Sequence, residues 1–117
     1  MAIKDCVFCR IGSGKVDSDV LYLDDRIFVV KDISPKAPTH LLIIPRRHVI
    51  SLAYAAGRTS VTLGHMFVVA EEMARREGVT VSGYRVIVNQ GCDSGQEIEH
   101  LHMHLLGGKL LEPLGKI

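Results

Sequence analysis

The chain has 117 residues and a formal net charge of +1, with 14 lysines and arginines against 13 acidic residues. This length suits one domain, residues 1–117, that buries a core without needing disulfides. The balanced charge indicates neither a nucleic-acid-binding nor a membrane-surface protein, and no apolar run suggests a membrane span or a secretory signal. The odd number of cysteines, 3, favours thiols or metal ligands, so we expect a cytoplasmic protein.

Apolar spacing, together with Gly, Pro and polar breakers, predicts the elements in chain order. A short helix comes first, over residues 7–13, and a hairpin that turns at residues 24–26 follows it. A long helix runs from about residue 60 to residue 77 and stops at Gly78. Its predicted core face consists of Leu63, Met66, Phe67, Ala70, Met73 and Ala74. The predicted strands cover residues 20–23, 27–30, 40–44, 84–88 and 101–106. This order predicts an α+β fold, a five-stranded antiparallel sheet covered by the long helix.

Residues 100–106 alternate three histidines with apolar residues. On a β-strand, His100, His102 and His104 share one face, while the residues between them face the core. Two imidazolium charges at the ~6.8 Å spacing of such a row repel by about 2 kcal/mol at an effective dielectric of ~20. We therefore expect neutral imidazoles, which can act as nucleophiles, bases or metal ligands.

The loop at residues 89–96 precedes this row and contains Gly91 and Gly95, so its backbone N–H groups suit a cradle for phosphate oxygens. Loop and row together indicate phosphate chemistry. An open catalytic zinc site on the three histidines is a competing interpretation, because histidines two apart on a strand can share a metal ion. That interpretation predicts loss of metal when His102 or His104 is replaced.

The alternating tract resembles the signature of the histidine-triad superfamily, in which three histidines alternate with apolar residues and a further apolar residue ends the motif. Further matches resemble the Hint branch in order and spacing, at residues 31–35, 37–40, 44–48, 88–89, 95–96 and 106–108. The resemblance implies a purine nucleoside phosphoramidase, which splits an adenosine 5′-phosphoramidate into AMP and an amine. A dinucleoside polyphosphate hydrolase or nucleotidyl transferase of the same superfamily is one alternative. A nucleotide-binding interaction module with residual catalysis is another.

The resemblance also implies roles for single residues. His102 would attack phosphorus through Nε2 and form a nucleotidyl-histidine, with its Nδ1 proton held by a backbone carbonyl. His104 would lie near the leaving amine, His40 would orient the row, and His100 completes the triad. The implied nucleotide contacts are Asp32 for the ribose hydroxyls, Ile33 for the base, and Asn89, Gly95, Gln96 and Glu97 for the phosphate, beside His102 and His104.

The chain departs from this pattern at Glu97, where many family members carry serine. A carboxylate that faces a phosphate would repel it, so we expect the side chain of Glu97 to turn away and its backbone N–H to bind.

Cys6 and Cys9 form a C-x-x-C pair, a spacing that lets two thiolates bind one tetrahedral metal ion. Some bacterial triad proteins complete such a pair with two histidines that match His48 and His100 here. The resemblance thus implies a structural zinc ion that pins the N-terminal segment to the sheet. Two reduced cysteines packed as small apolar residues are the alternative. The same resemblance implies a homodimer, in which the long helix and a neighbouring strand meet their symmetry mates.

Overall fold

The computed structural model describes residues 6–14, 18–55, 60–114 and 116, without the side chains of residues 54 and 55. Its helices are α1 (Val7–Gly12), α2 (Leu52–Ala55) and α3 (Ser60–Arg76). Its strands are β1 (Val20–Leu23), β2 (Ile27–Lys31), β3 (Thr39–Pro45), β4 (Tyr84–Ile87) and β5 (Met103–Gly107), and Cys92–Ser94 form a 3₁₀ turn. Within the described ranges, no helix reaches the length and apolarity that crossing a membrane requires.

The five strands form one antiparallel sheet in the order β1-β2-β3-β5-β4. β3 lies at its centre and is buried along its whole length, as its continuous apolar run predicts. The predicted α+β fold, with one long helix and a short N-terminal one, is confirmed. α2 and the 3₁₀ turn were not predicted, because four and three residues are too short to carry a periodic signal.

Both faces of the sheet are covered. α3 packs on one face, where the side chains of Ile27 and Val29 join its buried residues. The alternate residues of the same strand, Phe28 and Val30, point to the other face and pack with Phe8 of α1. The histidine-bearing face of the sheet is therefore the face that α1 partly covers.

The long helix ends at Arg76 and, as predicted, does not continue past Gly78, which adopts a left-handed conformation with φ of 73°. The backbone N–H of Gly78 donates to the carbonyl of Arg75, and that of Val79 donates to Ala74. This pair of bonds is a Schellman motif, which favours glycine because a side chain strains the left-handed backbone.

The predicted core face of α3 is wrong at Phe67, whose side chain is 57% exposed. The buried residues are Met66, Val69, Ala70, Met73 and Ala74. Phe67 lies about 100° around the helix from Met66, so it falls outside the stripe that faces the sheet.

The last strand begins at Met103 rather than at Leu101. Its ladder with β3 starts where Met103 pairs with Ile43. Before Met103 the ladder does not continue, because the N–H of Leu101 donates to the carbonyl of Val49 and not to β3. Pro45, the last residue of β3, has no N–H to donate. Of the three triad histidines, only His104 lies within the strand. The predicted alternation still holds, because Leu101, Met103 and Leu105 are buried in the core beneath α3.

Candidate active site and metal-ligand cluster

A cavity of about 600 Å³ lies on the sheet face that α1 covers, opposite α3. This volume falls in the range of small-molecule sites. The structure brings eight of the predicted site residues to its wall, namely Asp32, Ile33, His40, Asn89, Gly95, Glu97, His102 and His104. Gly95 has a φ of 88°, so this turn of the wall favours glycine.

Two predicted residues do not line this cavity. The side-chain amide of Gln96 donates to the carbonyls of Ile50 and Ile98 and accepts from the N–H of Gly91, so it braces the loop from inside. His100 is fully buried behind the wall. Neither side chain is placed to touch a ligand in the cavity.

The contribution of α1 to the cavity was not predicted from the sequence. Val7, Phe8 and Ile11 project from this helix into the wall and supply much of its apolar surface. Their spacing of one, three and four residues is the signal that indicates one helix face.

His102 is held in one tautomer. Its Nδ1 lies 2.7 Å from the carbonyl oxygen of His100, so Nδ1 carries the proton and donates it. The lone pair of the neutral ring is therefore on Nε2. The ring is 8% exposed and lies edge-on to Phe8, with centroids 5.1 Å apart. The predicted backbone carbonyl is thus present and belongs to the first histidine of the triad.

His40 and His104 form a hydrogen-bonded chain. The N–H of Lys36 donates to His40 Nδ1 at 3.0 Å, so neutral His40 carries its proton on Nε2. That nitrogen lies 2.9 Å from His104 Nδ1 and 3.3 Å from a carboxylate oxygen of Asp32. Burial lowers the pKa of His104 to about 4, helped by the charges of His102 and His40. Burial also lowers the pKa of His40, although Asp32 opposes the shift. Both rings are neutral at pH 7, as expected for His104 from its place in the row.

Behind the cavity wall, the ligand atoms of Cys6, Cys9, His48 and His100 lie within 4.8 Å of one another. The Sγ of Cys6 is 3.4 Å from His100 Nδ1, and the Sγ of Cys9 is 3.3 Å from His48 Nδ1 and 3.6 Å from His100 Nδ1. A tetrahedral ion with ordinary metal–sulfur and metal–nitrogen bonds has sulfur–nitrogen edges of about 3.5 Å. The predicted cluster is therefore assembled, with spacings that could hold a metal ion.

The protonation of His100 suits this role. Its Nε2 donates to the carbonyl oxygen of Pro45 at 2.7 Å, which leaves the lone pair on Nδ1, the atom that faces the thiols. Burial lowers the pKa of His100 to about 4, against the effect of the Pro45 carbonyl, so the ring is neutral at pH 7.

A second group, Asp32, His40 and His104, is also close enough to surround an ion. His40 cannot act as a metal ligand in this group, because its Nε2, the ring nitrogen that faces the other two residues, carries a proton. The three triad histidines do not form such a group among the residues that the structure describes. That argues against the open zinc site.

Residues 13–110 match the HIT domain family, and the chain belongs to this family. It is 40% identical over 111 residues to the purine nucleoside phosphoramidase of Escherichia coli (strain K12), covering 95% of this chain and 93% of that protein. These comparisons confirm the predicted family. The matched range begins after α1, so the C-x-x-C pair lies outside it.

Solved structures of the family share the fold. A histidine triad protein from Clostridium difficile has a TM-score of 0.94 at 39% identity, covering 97% of this chain and 99% of that one. A HIT family hydrolase from Legionella pneumophila has a TM-score of 0.90 at 38% identity, covering 93% and 97%. A Zn-bound histidine triad family protein from Mycobacterium smegmatis has a TM-score of 0.76 at 26% identity, covering 90% and 76%. The Legionella hydrolase and the Escherichia coli phosphoramidase together confirm the predicted enzyme class, a hydrolase.

Proposed function

We propose that the protein cleaves the P–N bond of adenosine 5′-phosphoramidates, giving AMP and an amine, through a nucleotidyl-histidine on His102. The observation that carries this proposal is the bond from His102 Nδ1 to the carbonyl of His100, which leaves Nε2 as the nucleophilic nitrogen in a nucleotide-sized cavity. The identity to a purine nucleoside phosphoramidase supports the same reaction.

In the first step, the Nε2 lone pair of His102 forms a bond to phosphorus while the P–N bond breaks. The ring then becomes positively charged, and its Nδ1–H bond to the carbonyl of His100 stabilises that charge. In the second step, water displaces the histidine and AMP leaves. Two in-line displacements give net retention at phosphorus.

An amine leaves phosphorus readily only when it takes up a proton. His104 lies beside the nucleophile, with the ring centroids of His102 and His104 5.1 Å apart. Because its Nδ1 accepts from His40, neutral His104 presents Nε2–H as a donor. We assign this donor to the phosphoryl group and the leaving nitrogen. The amine takes its proton from solvent, and a proton returns to solvent when water attacks phosphorus in the second step.

For the nucleotide, we assign Asp32 to the ribose hydroxyls and the base to the space between Ile33 and the apolar side of α1. Ile33 is 97% exposed, an unfavourable state for a large apolar side chain that a bound base would relieve. Asn89 and Gly95 line the same cavity and are assigned to the phosphate. Gln96 is assigned to bracing this loop, and the outward turn of the Glu97 side chain stays a prediction.

The test uses a fluorogenic adenosine 5′-phosphoramidate with wild type and His102→Ala. We expect amine release and a nucleotide label on His102 in the wild type, trapped by an alkaline quench because the phosphorus–imidazole bond is labile in acid, and neither in the variant. His65→Ala is the matched control, because this histidine lies on α3 and outside the cavity. Wild type that releases no amine but cleaves a dinucleoside polyphosphate would contradict the substrate assignment. AMP binding without turnover of either substrate would indicate an interaction module.

We infer that zinc is the ion for the cluster of Cys6, Cys9, His48 and His100. Two thiolates and two imidazoles at tetrahedral spacing form a donor set that suits zinc. A relative of known structure is named as Zn-bound. Because all four positions are protein ligands, the ion would supply structural stability and no chemistry at the cavity.

We also propose a homodimer formed through α3. Its outer side exposes Val61, Phe67 and Val68, which are 57–66% accessible. Gly64 lies among them, and a Cβ atom built there meets no other atom within 4 Å, so a second helix could approach closely.

That residues 1–117 form one HIT domain, and that the protein is cytoplasmic, stay predictions. The latter agrees with three cysteines outside any disulfide.

A further inference from the structure

The short helix that carries the cysteine ligands also contacts the nucleophile. Phe8 lies between Cys6 and Cys9 in the chain and is 3% exposed. Its ring lies edge-on to His102, with centroids 5.1 Å apart at 66°, and to His100, at 5.7 Å and 88°. One aromatic ring therefore packs against both the proposed nucleophile and one of the proposed metal ligands.

His100 connects the cluster to the nucleophile a second time. Its Nδ1 faces the thiols, its Nε2 donates to Pro45, and its own carbonyl accepts from His102 Nδ1. The position of this carbonyl decides which nitrogen of His102 carries the proton. A change in the cluster that moves His100 therefore also moves the carbonyl that accepts from His102 Nδ1.

Little within α1 itself fixes its position. It has six residues, no side-chain hydrogen bond at its N-cap and no acidic residue in its first turn. Helices this short are marginal on their own. Its attachment to the sheet includes the apolar contacts of Phe8 and its neighbours, and the two cysteines that face His48 and His100.

We propose that Phe8 is a positioning residue for His102 and that metal in the Cys6–Cys9 cluster sets the position of Phe8. With the ion bound, α1 is anchored at both cysteines and the ring of Phe8 holds His102 ready for attack. Without it, α1 loosens and nucleotidylation slows. This inference rests on the proposed function and adds metal occupancy as a control of the same site.

The experiment compares Phe8→Ala and Phe8→Leu with Ile11→Ala, a matched control from the same helix and cavity wall that has no ring to place against His102. Rapid-quench kinetics give the nucleotidylation rate at saturating phosphoramidate and the apparent Kd. We expect Phe8→Ala to retain its metal and to lose about tenfold in this rate. Phe8→Leu keeps the rate within about twofold of wild type, and Ile11→Ala changes mainly the apparent Kd. Wild type stripped with a chelator behaves like Phe8→Ala, and one equivalent of Zn²⁺ restores it.

The tautomer of His102 supplies a readout that does not depend on turnover. Imidazole ¹⁵N spectra of the metal-loaded wild type are expected to show His102 protonated at Nδ1 alone, and those of Phe8→Ala to show a mixture of tautomers. A Phe8→Ala variant with the wild-type rate and a single tautomer would overturn the proposal. If the wild type turns over no nucleotide, the proposed function fails, while the spectra still decide whether Phe8 positions the ring.

Discussion

At the scale of single residues, His40 shows how two hydrogen bonds fix a chain of protons. One ring nitrogen accepts from Lys36 and the other donates to His104, so the state of His104 depends on a residue outside the triad. We predict that His40→Leu lowers the nucleotidylation rate by about tenfold or more, because His104 loses the partner that keeps its proton on Nε2. Rapid-quench kinetics measure this rate.

His40→Gln is the matched variant. Its amide can accept from Lys36 and donate to His104, so it should retain most of the activity. Equal losses in His40→Leu and His40→Gln would contradict the assigned proton positions.

Asp24 carries the clearest pH-dependent contribution to stability. It accepts from Tyr22, from His65 of α3, and from the backbone N–H groups of Arg26 and Ile27. Burial alone would raise the pKa of Asp24, but these hydrogen bonds outweigh it and hold the pKa well below the usual range. Because the folded pKa lies below the unfolded one, this stability is present above pH ~4 and is lost as the pH falls.

We therefore predict that Asp24→Asn lowers the free energy of unfolding by about 2 kcal/mol at pH 7, since the amide nitrogen that replaces Oδ2 accepts from neither Tyr22 nor His65. Urea denaturation of both proteins at pH 7 and pH 3.5 measures the change. The difference between them should shrink at the lower pH. A difference independent of pH would show that the carboxylate charge contributes nothing.

At the scale of elements, α3 has two apolar sides, and only one faces the sheet. Phe67 is exposed in the single chain, so Phe67→Glu should leave the fold intact and place a charge in the proposed helix–helix contact. We predict that the wild type is a dimer and that this variant is a monomer, as measured by light scattering after size exclusion. Val81→Glu is the control, since Val81 is fully exposed, lies outside α3 and should leave the dimer unchanged. A wild-type monomer would contradict the proposal.

At the scale of the whole molecule, features set by local spacing could be predicted from the sequence. Features that depend on contacts between distant residues could not. Alternation in the histidine tract predicted which residues face the core, because strand geometry is local. The start of β5 was not predictable, since it depends on Val49 and Pro45, which lie some 50 residues away along the chain. The packing of Phe8 on His102 likewise joins residues that only the folded sheet brings together.

The cluster should affect the stability of the whole chain in the same long-range way. It links residues 6 and 9 to residues 48 and 100, so an ion bound there ties the first helix to two distant parts of the sheet. Because the ion binds the assembled ligands and the unfolded chain lacks them, its affinity adds to folding stability. We predict that removing zinc lowers the Tm by roughly 5–10 °C while the sheet stays folded, because the core beneath α3 contains none of the ligands.

Calorimetry with and without a chelator, beside metal analysis, measures this effect. Cys9→Ser is the control and should bind little metal and show a Tm independent of added Zn²⁺. Co²⁺ in place of Zn²⁺ should give thiolate-to-metal absorption in the wild type and not in a variant without both thiols. Wild type that contains no metal, and whose Tm ignores both chelator and Zn²⁺, would identify Cys6 and Cys9 as reduced cysteines packed against two histidines.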